Sequence, residues 1–469
     1  MKLPQYDFAI VGAGSGGLIA ADFAVKLGAR VVMLEKDRIG GDCTWTGCVP
    51  SKALLKVARV AHDARSGAQF GVHTSQPTID MPRVRAYLRS AIDQIYAGTT
   101  PEALRAKGMD ILHGPVSFVD RNTVACGEQR LRAKKILIAT GANPVLPNIA
   151  GLSQVSFSTY RDIFDADRLP SSMAIIGGGP IAAELGQAYQ RLGTQVTLIA
   201  ERLLPKEEPE VSQLLQHILE REGVRIVPER AAAVESYTGG IRVRSESTSV
   251  EAEILLVATG RAPAIDGLNL EAAGVRYSED GIKVNKRLQT SARNIYAAGD
   301  VLGGAQFSHF AGWQGFQAAR NALLPGSNSG FSEAMPRITF TDPEVAQVGL
   351  LEHEARARFP HKLRIGCRPL IRVDRAVCDN DRDGSIKIMT RSDGRIVGAT
   401  IVGRRAGDAI TEIVIAMQKK ITVAELAGII HPYPTYSSAV QLLTTELATA
   451  HAMSGRSGKL IRAASRIAR

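Results

Sequence analysis

The chain of 469 residues is too long for one hydrophobic core, so several domains are expected. With 45% hydrophobic and 22% charged residues it reads as a soluble globular protein. No apolar run approaches the ~18 residues of a membrane-crossing helix, and a strand starting near residue 6 leaves no room for a signal peptide, so no membrane insertion is expected. Five cysteines argue against a secreted disulfide framework. Cys126, Cys367 and Cys378 stand at no metal-ligand spacing, so no metal site is expected. A single close pair, Cys43 and Cys48, fits redox chemistry in a reducing compartment, and a cytoplasmic location is expected. The net charge of +11 is scattered, with a modest concentration at Arg456, Lys459, Arg462, Arg466 and Arg469. That segment is expected to be solvated and no nucleic-acid partner is expected, a membrane surface or nucleic acid being the alternative.

In chain order, residues 6–11 read as a strand that runs into Gly12-Ala13-Gly14-Ser15-Gly16-Gly17 and a helix to about residue 27. A second strand, 31–34, then ends at Glu35. Such a turn lets backbone approach a pyrophosphate, and the terminal acid accepts hydrogen bonds from a ribose. Next comes Gly40-Gly41-Asp42-Cys43-Thr44-Trp45-Thr46-Gly47-Cys48-Val49-Pro50-Ser51-Lys52, where Cys48 opens an apolar-periodic helix. A thiol at a helix N-terminus is biased towards thiolate. Residues five apart in a straight helix are too distant for a disulfide, so the pair closes only if the turn before Cys48 is irregular, which Gly47 permits.

Helical stretches at 57–67 and 81–107 precede a strand ending Ala139-Thr140-Gly141. The strand–turn–helix unit then recurs: Gly177, Gly179 and Ala182 stand 165 positions after Gly12, Gly14 and Gly17. Residues 196–199 form the matching second strand, and another strand ends Ala258-Thr259-Gly260. A short strand running into Gly299-Asp300 and a helix over 309–324 lead to a linker candidate at 325–330. Beyond residue 336 strands at 337–340, 385–390 and 395–402 are followed by helices at 406–419, 423–429 and 437–450, which reads as a separate α+β domain. Two nucleotide folds and a reactive thiol pair make an electron relay. A flavin is the natural intermediary, because it accepts a hydride on one side and reduces a disulfide on the other.

In this combination of motifs the chain resembles the FAD-dependent pyridine nucleotide–disulfide oxidoreductases, the group of glutathione reductase, dihydrolipoamide dehydrogenase and mercuric reductase. The likeness covers nearly the whole chain, including Phe340-Thr341-Asp342-Pro343-Glu344. It implies an α/β protein with two tandem Rossmann-like folds and a C-terminal α+β dimerisation domain. FAD would occupy 1–150 and 264–335, NAD(P) 151–263, and the dimer interface 336–469. The resemblance places Gly12, Gly14, Gly17, Glu35, Gly41, Thr140, Gly141, Asp300, His309 and Ala311 at FAD, and Gly177, Gly179 and Gly260 at the nicotinamide cofactor. Cys43 would meet the acceptor and Cys48 the flavin, with Lys52 paired to Glu184 beside the flavin N5. The helix from His309 would aim its N-terminus at the flavin's N1–C2=O edge.

Three departures stand out. Family members that reduce small disulfides carry His-Pro-Thr-x-x-Glu, contributed by the partner subunit; here Tyr433 takes the histidine position and Ser438 the glutamate position in His431-Pro432-Tyr433-Pro434-Thr435. A phenol (pKa ~10) is a poor base beside imidazole (~6.5), and His431 is the candidate substitute. Asp42 replaces the usual threonine, placing a negative charge beside the thiols, and Trp45 replaces the common asparagine; together with Tyr433 these resemble the mercuric-reductase-like branch. Yet no cysteine follows Cys378, so the terminal metal-relaying Cys pair of true mercuric reductases is missing. Finally, the position equivalent to Glu35 is Ala200, followed by Glu201, while Arg202 and Lys206 could hold a 2′-phosphate; this tilts the expectation to NADPH. The sequence thus predicts a homodimeric NAD(P)H oxidoreductase using FAD, a Cys43–Cys48 pair and a small-molecule or thiol/disulfide acceptor. The alternatives are a diaphorase passing electrons straight from FAD to quinones or metal ions, and a non-catalytic redox sensor or binding subunit.

Overall fold

The structure, a computed structural model, describes residues 3–467. The chain forms two compact units: Met1–Glu201 with Gly223–Ser332, and Arg202–Glu222 with Glu333–Arg469.

The first unit holds two sheets built around parallel strands. In one, strand Gln5–Val11 lies between Val31–Glu35 and Gln129–Ile138, with Met109–His113 outside the former and Ile295–Ala297 beside the latter. Phe8, Ala9, Ile10 and Val11 are all buried, as a central strand covered on both faces requires. The long strand Gln129–Ile138 also pairs antiparallel with Thr123–Cys126, a hairpin turned at Gly127-Glu128 with Gly127 at φ +56°. The second sheet orders Arg225–Val227, Gln195–Ile199, Ser172–Ile176 and Ile254–Val257. Both sheets place the strand before the glycine turn centrally, so the internal repeat is structural. The helical stretch expected over 81–107 is broken: Met81–Tyr96 ends and Pro101–Ala106 begins anew, capped by Thr100 Oγ1 accepting from Ala103 N–H. Proline lacks an N–H and tolerates only the first turn of a helix.

The second unit is a five-stranded antiparallel sheet, ordered Pro336–Thr339, Glu344–Gly349, Ile396–Gly403, Ser385–Arg391 and Leu363–Pro369. Helices Ala406–Lys419 and Ser437–Ala452 supply Ile410, Ile413, Val440 and Leu443 to its core. Helix Pro209–Arg221, expected within the 151–263 region, belongs to this unit. Ion pairs join this helix and the loop before it to the rest of the unit. Glu207 pairs with Arg337 at 3.2 Å, Arg221 with Asp383 at 2.5 Å, and Lys387 with Glu210 and with Glu352. The expected linker 325–330 is an ordered loop, with Asn321 bonding Asn328 and Gln314 bonding the Gly330 carbonyl; the unit boundary falls just after it.

Candidate active site

Each parallel sheet ends in the same device. Gly12 has φ +101° and a Cβ there would lie 2.4 Å from the Ala139 oxygen; Gly177 has φ +134° and a Cβ would lie 2.2 Å from the Ala258 oxygen. Only glycine fits either position. The helices that follow, Ser15–Lys26 and Pro180–Leu192, start at Gly14 and Gly179 with no side-chain cap and no acid in the first turn. Their first N–H groups therefore face outward for an anion. Glu35 is buried at the end of its strand and accepts from Ala13 N–H (2.7 Å) and Asp37 N–H (2.8 Å), which fixes its carboxylate beside the first turn. The residues present therefore suit a dinucleotide pyrophosphate and ribose at the first turn, and a pyrophosphate at the second.

Behind the first turn, the Thr140 hydroxyl donates to the Ala264 carbonyl at 2.7 Å, and Gly141 accepts from Ala264 N–H. Gly260 accepts from Val145 N–H in the corresponding place. A Cβ on Gly41 would lie 3.0 Å from the Gly14 Cα, so the redox segment approaches the nucleotide turn backbone to backbone.

The redox segment folds as a short helix, Gly41–Trp45, a break at Thr46 and Gly47, and the long helix Cys48–Ser66. Gly47 sits at φ −118°, ψ −110°, and a Cβ would meet the Asp42 oxygen at 2.8 Å. This is the irregular turn the spacing demanded. It brings the two thiols into hydrogen-bond contact with each other. Cys48 is pushed below the ordinary thiol range, chiefly by the Cys43 thiol donating to it. Burial opposes this; the Ser308 hydroxyl 3.1 Å away and the Lys52 charge act in the lowering direction, and Glu184 adds a smaller opposition. Cys43 is pushed up, because its proton is held by Cys48 and because it is buried. The pair is therefore poised with the thiolate on Cys48. Lys52 Nζ lies 2.7 Å from Glu184 Oε2, joining the redox helix to the second nucleotide helix as the motif implied.

The sequence did not point to Ser308, nor to Ser15, whose hydroxyl bonds Cys43. Ser308 is the first residue of helix Ser308–Leu323, which contains His309 and Ala311. His309 is exposed, its ring 5.5 Å from Phe307, whereas Ala311 packs this helix against Gly16 and Gly299. Asp300 is partly buried and pairs with Arg261 at 2.8 Å; desolvation raises its pKa, Arg261 lowers it and Asp42 raises it. Asp42 itself accepts from the Tyr160 hydroxyl at 2.8 Å and lies 3.7 Å from Arg161. Its charge beside the thiols is thus compensated. Arg261 directly follows Gly260 and was legible in principle; Tyr160 and Arg161 lie in a loop with no motif.

After the second strand of the repeated unit, Glu201 pairs with Arg230 at 2.8 Å. Arg202 donates to the carbonyls of Pro205 and Glu207, and the carbonyl of Lys206 accepts from Arg337. The Arg202 guanidinium is therefore committed within its own loop rather than presented for a 2′-phosphate, and the tilt to NADPH loses that support. In the second unit Tyr433 is 73% exposed and donates to Asp374 Oδ2 at 2.6 Å, which raises its pKa. The His431 side chain is 5% exposed, with Nε2 2.5 Å from Glu412 Oε1 and Nδ1 2.8 Å from the Ile429 carbonyl. Both of its nitrogens are already engaged, which removes it as a ready substitute for the missing histidine. The Ser438 hydroxyl closes a turn on the Thr435 carbonyl.

Two anion-ready nucleotide turns around a poised thiol pair define a dinucleotide-dependent redox enzyme that works through sulfur. The chain belongs to the pyridine nucleotide–disulphide oxidoreductase family, whose model matches residues 6–323; the dimerisation domain of the same family matches residues 335–444. Members use FAD and NAD(P)H. The chain is 34% identical over 447 residues to a mercuric reductase of Bacillus cereus, covering 93% of this chain and 71% of that protein. It is 33% identical over 456 residues to a dihydrolipoyl dehydrogenase of Thermus scotoductus, covering 93% and 96%. Among solved structures it is similar to the HOCl-induced flavoprotein disulfide reductase RclA from Escherichia coli, with TM-score 0.84, 25% identity and coverage of 94% and 99%. LpdA from Mycobacterium tuberculosis gives TM-score 0.86, 28% identity and coverage of 95% and 100%. Among the described residues no helix is long and apolar enough to cross a membrane.

Proposed function

We propose that the protein is a homodimeric, cytoplasmic NAD(P)H-dependent flavoenzyme whose Cys43–Cys48 pair delivers electrons to a thiophilic metal ion in preference to a small disulfide. The first turn, Glu35 and Asp300 would hold FAD, which when bound would supply the two-electron exchange between nicotinamide and sulfur. On reduction of the Cys43–Cys48 bond, two electrons and one proton leave Cys43 as thiol and Cys48 as thiolate. Ser308 and Lys52 hold that negative charge, and Cys43 gives up its proton when it binds the acceptor.

The observation that carries the choice of acceptor is the state of the second unit. An exposed phenol stands where the family's disulfide reducers carry an imidazole, and the nearby His431 is buried against Glu412. Reducing a small disulfide requires a proton for the departing thiol, whereas a metal ion bound by two sulfurs requires none. Mercuric reductases among the relatives and a Cu(II) complex of RclA support the same reading. The dimer rests on the dimerisation-domain match and on the exposed Ile415, Ile429, Ile430 and Leu442 of the second unit.

The test is anaerobic turnover of the holoenzyme with NADPH or NADH against Hg(II), Cu(II), oxidised glutathione, lipoamide and a quinone, repeated with Cys43→Ser. Metal-ion reduction that is lost in Cys43→Ser is expected. Faster turnover of either disulfide than of both metal ions would overturn the reading. Quinone reduction that outpaces both and survives in the variant would favour direct transfer from the flavin.

A further inference from the structure

We propose that helix Gly455–Ile467 docks the protein reversibly on an anionic lipid surface. Every residue from Lys459 to Ile467 is exposed, including Leu460 at 71% and Ile467 at 87%. At 100° per residue, Leu460, Ala463, Ala464 and Ile467 fall on one strip, and Lys459, Arg462 and Arg466 fall on the face beside and behind it. From Leu447 to Arg469 the sequence contains no aspartate or glutamate and five arginines or lysines. Among the described residues Lys459, Arg462 and Arg466 form no ion pair, and Arg462 makes only a 3.4 Å contact to the Met453 carbonyl.

The helix therefore presents uncompensated positive charge and uncovered apolar side chains together. Nucleic-acid phosphates would meet the charge and leave Leu460 and Ile467 in water. A lipid surface meets both, taking the apolar strip at the level of the acyl boundary and the cations among anionic headgroups. Thirteen residues span about 20 Å, short of the ~30 Å hydrocarbon core, so the helix lies in the surface plane and does not cross.

The test is co-sedimentation of the full-length holoenzyme with vesicles of phosphatidylcholine alone and of phosphatidylcholine with phosphatidylglycerol. Binding is expected only to the anionic vesicles and is expected to fall as salt rises. Combining Lys459→Gln, Arg462→Gln and Arg466→Gln should lower the partition coefficient on the order of a hundredfold. Leu460→Asp with Ile467→Asp should abolish binding while flavin content and NAD(P)H oxidation stay unchanged. Equal binding to neutral vesicles, no binding to either, or salt-sensitive binding to RNA without vesicle binding would each overturn the proposal.

Discussion

Replacing Ser308 with alanine removes a hydroxyl 3.1 Å from Cys48 Sγ. Against the Cys48 thiolate that hydroxyl acts as donor, and a hydrogen bond to a charged group contributes about 1.5–3 kcal/mol. Water reaching the half-buried sulfur recovers part of this. At about 1.4 kcal/mol per pKa unit, the Cys48 pKa should rise by about one unit in Ser308→Ala. The sign follows from which form is stabilised: the bond favours the deprotonated sulfur, so its loss lowers the thiolate fraction at any pH near the transition. The assay is anaerobic reduction of the holoenzyme by one equivalent of NADPH, followed by titration of the long-wavelength absorbance that a thiolate stacked on oxidised flavin produces. Ser308→Thr, which keeps the hydroxyl, should titrate as the wild type does. A Ser308→Ala curve that superimposes on wild type would refute the reasoning, and would leave Cys43 and Lys52 as the groups that hold the charge.

Gly12→Ala puts a methyl group 2.4 Å from the Ala139 carbonyl oxygen at φ +101°, so the variant should purify without flavin colour even where it folds. Retention of stoichiometric FAD would contradict the close approach described for that turn. Glu412→Ala should cost about 1–3 kcal/mol in denaturant unfolding, because it strips the buried His431 of its carboxylate. Tyr433→Phe, altering an exposed hydroxyl, should stay within about 0.5 kcal/mol of wild type; the reverse ranking would show the burial argument to be wrong. Tyr160→Phe removes the donor to Asp42 and should cost about 1 kcal/mol, with Asp42→Asn showing little further loss in the Tyr160→Phe background.

What the sequence revealed was whatever depends on backbone geometry. Gly12, Gly177 and Gly47 each occupy a place where a Cβ would collide, so their spacing carried the two nucleotide turns and the kinked redox segment directly. The Lys52–Glu184 pair was legible for a related reason: helix spacing fixed Lys52 relative to Cys48 and the repeat fixed Glu184. Contacts between residues distant in sequence were not legible. Ser308 reaches Cys48 across 260 positions, and Tyr160 reaches Asp42 across 118, with no local pattern to mark either. Arg202 misled for the opposite reason. Its charge and position matched a phosphate ligand, yet the nearby carbonyls of Pro205 and Glu207 claim its guanidinium. Helix Gly455–Ile467 was read only as charge, because its strip holds two alanines among its large apolar residues.

The segment Arg202–Glu222 also bears on how this chain can be cut or recombined. A fragment ending at Ser332 would keep Glu207, Glu208 and Glu210 but lose Arg337 and Lys387, the cations that neutralise them. The dimerisation region is thus no interchangeable cassette. Grafting one from a relative would demand matching charges on a helix more than a hundred residues upstream, and chimeras joined at the apparent border should express poorly unless that helix travels with its counterpart.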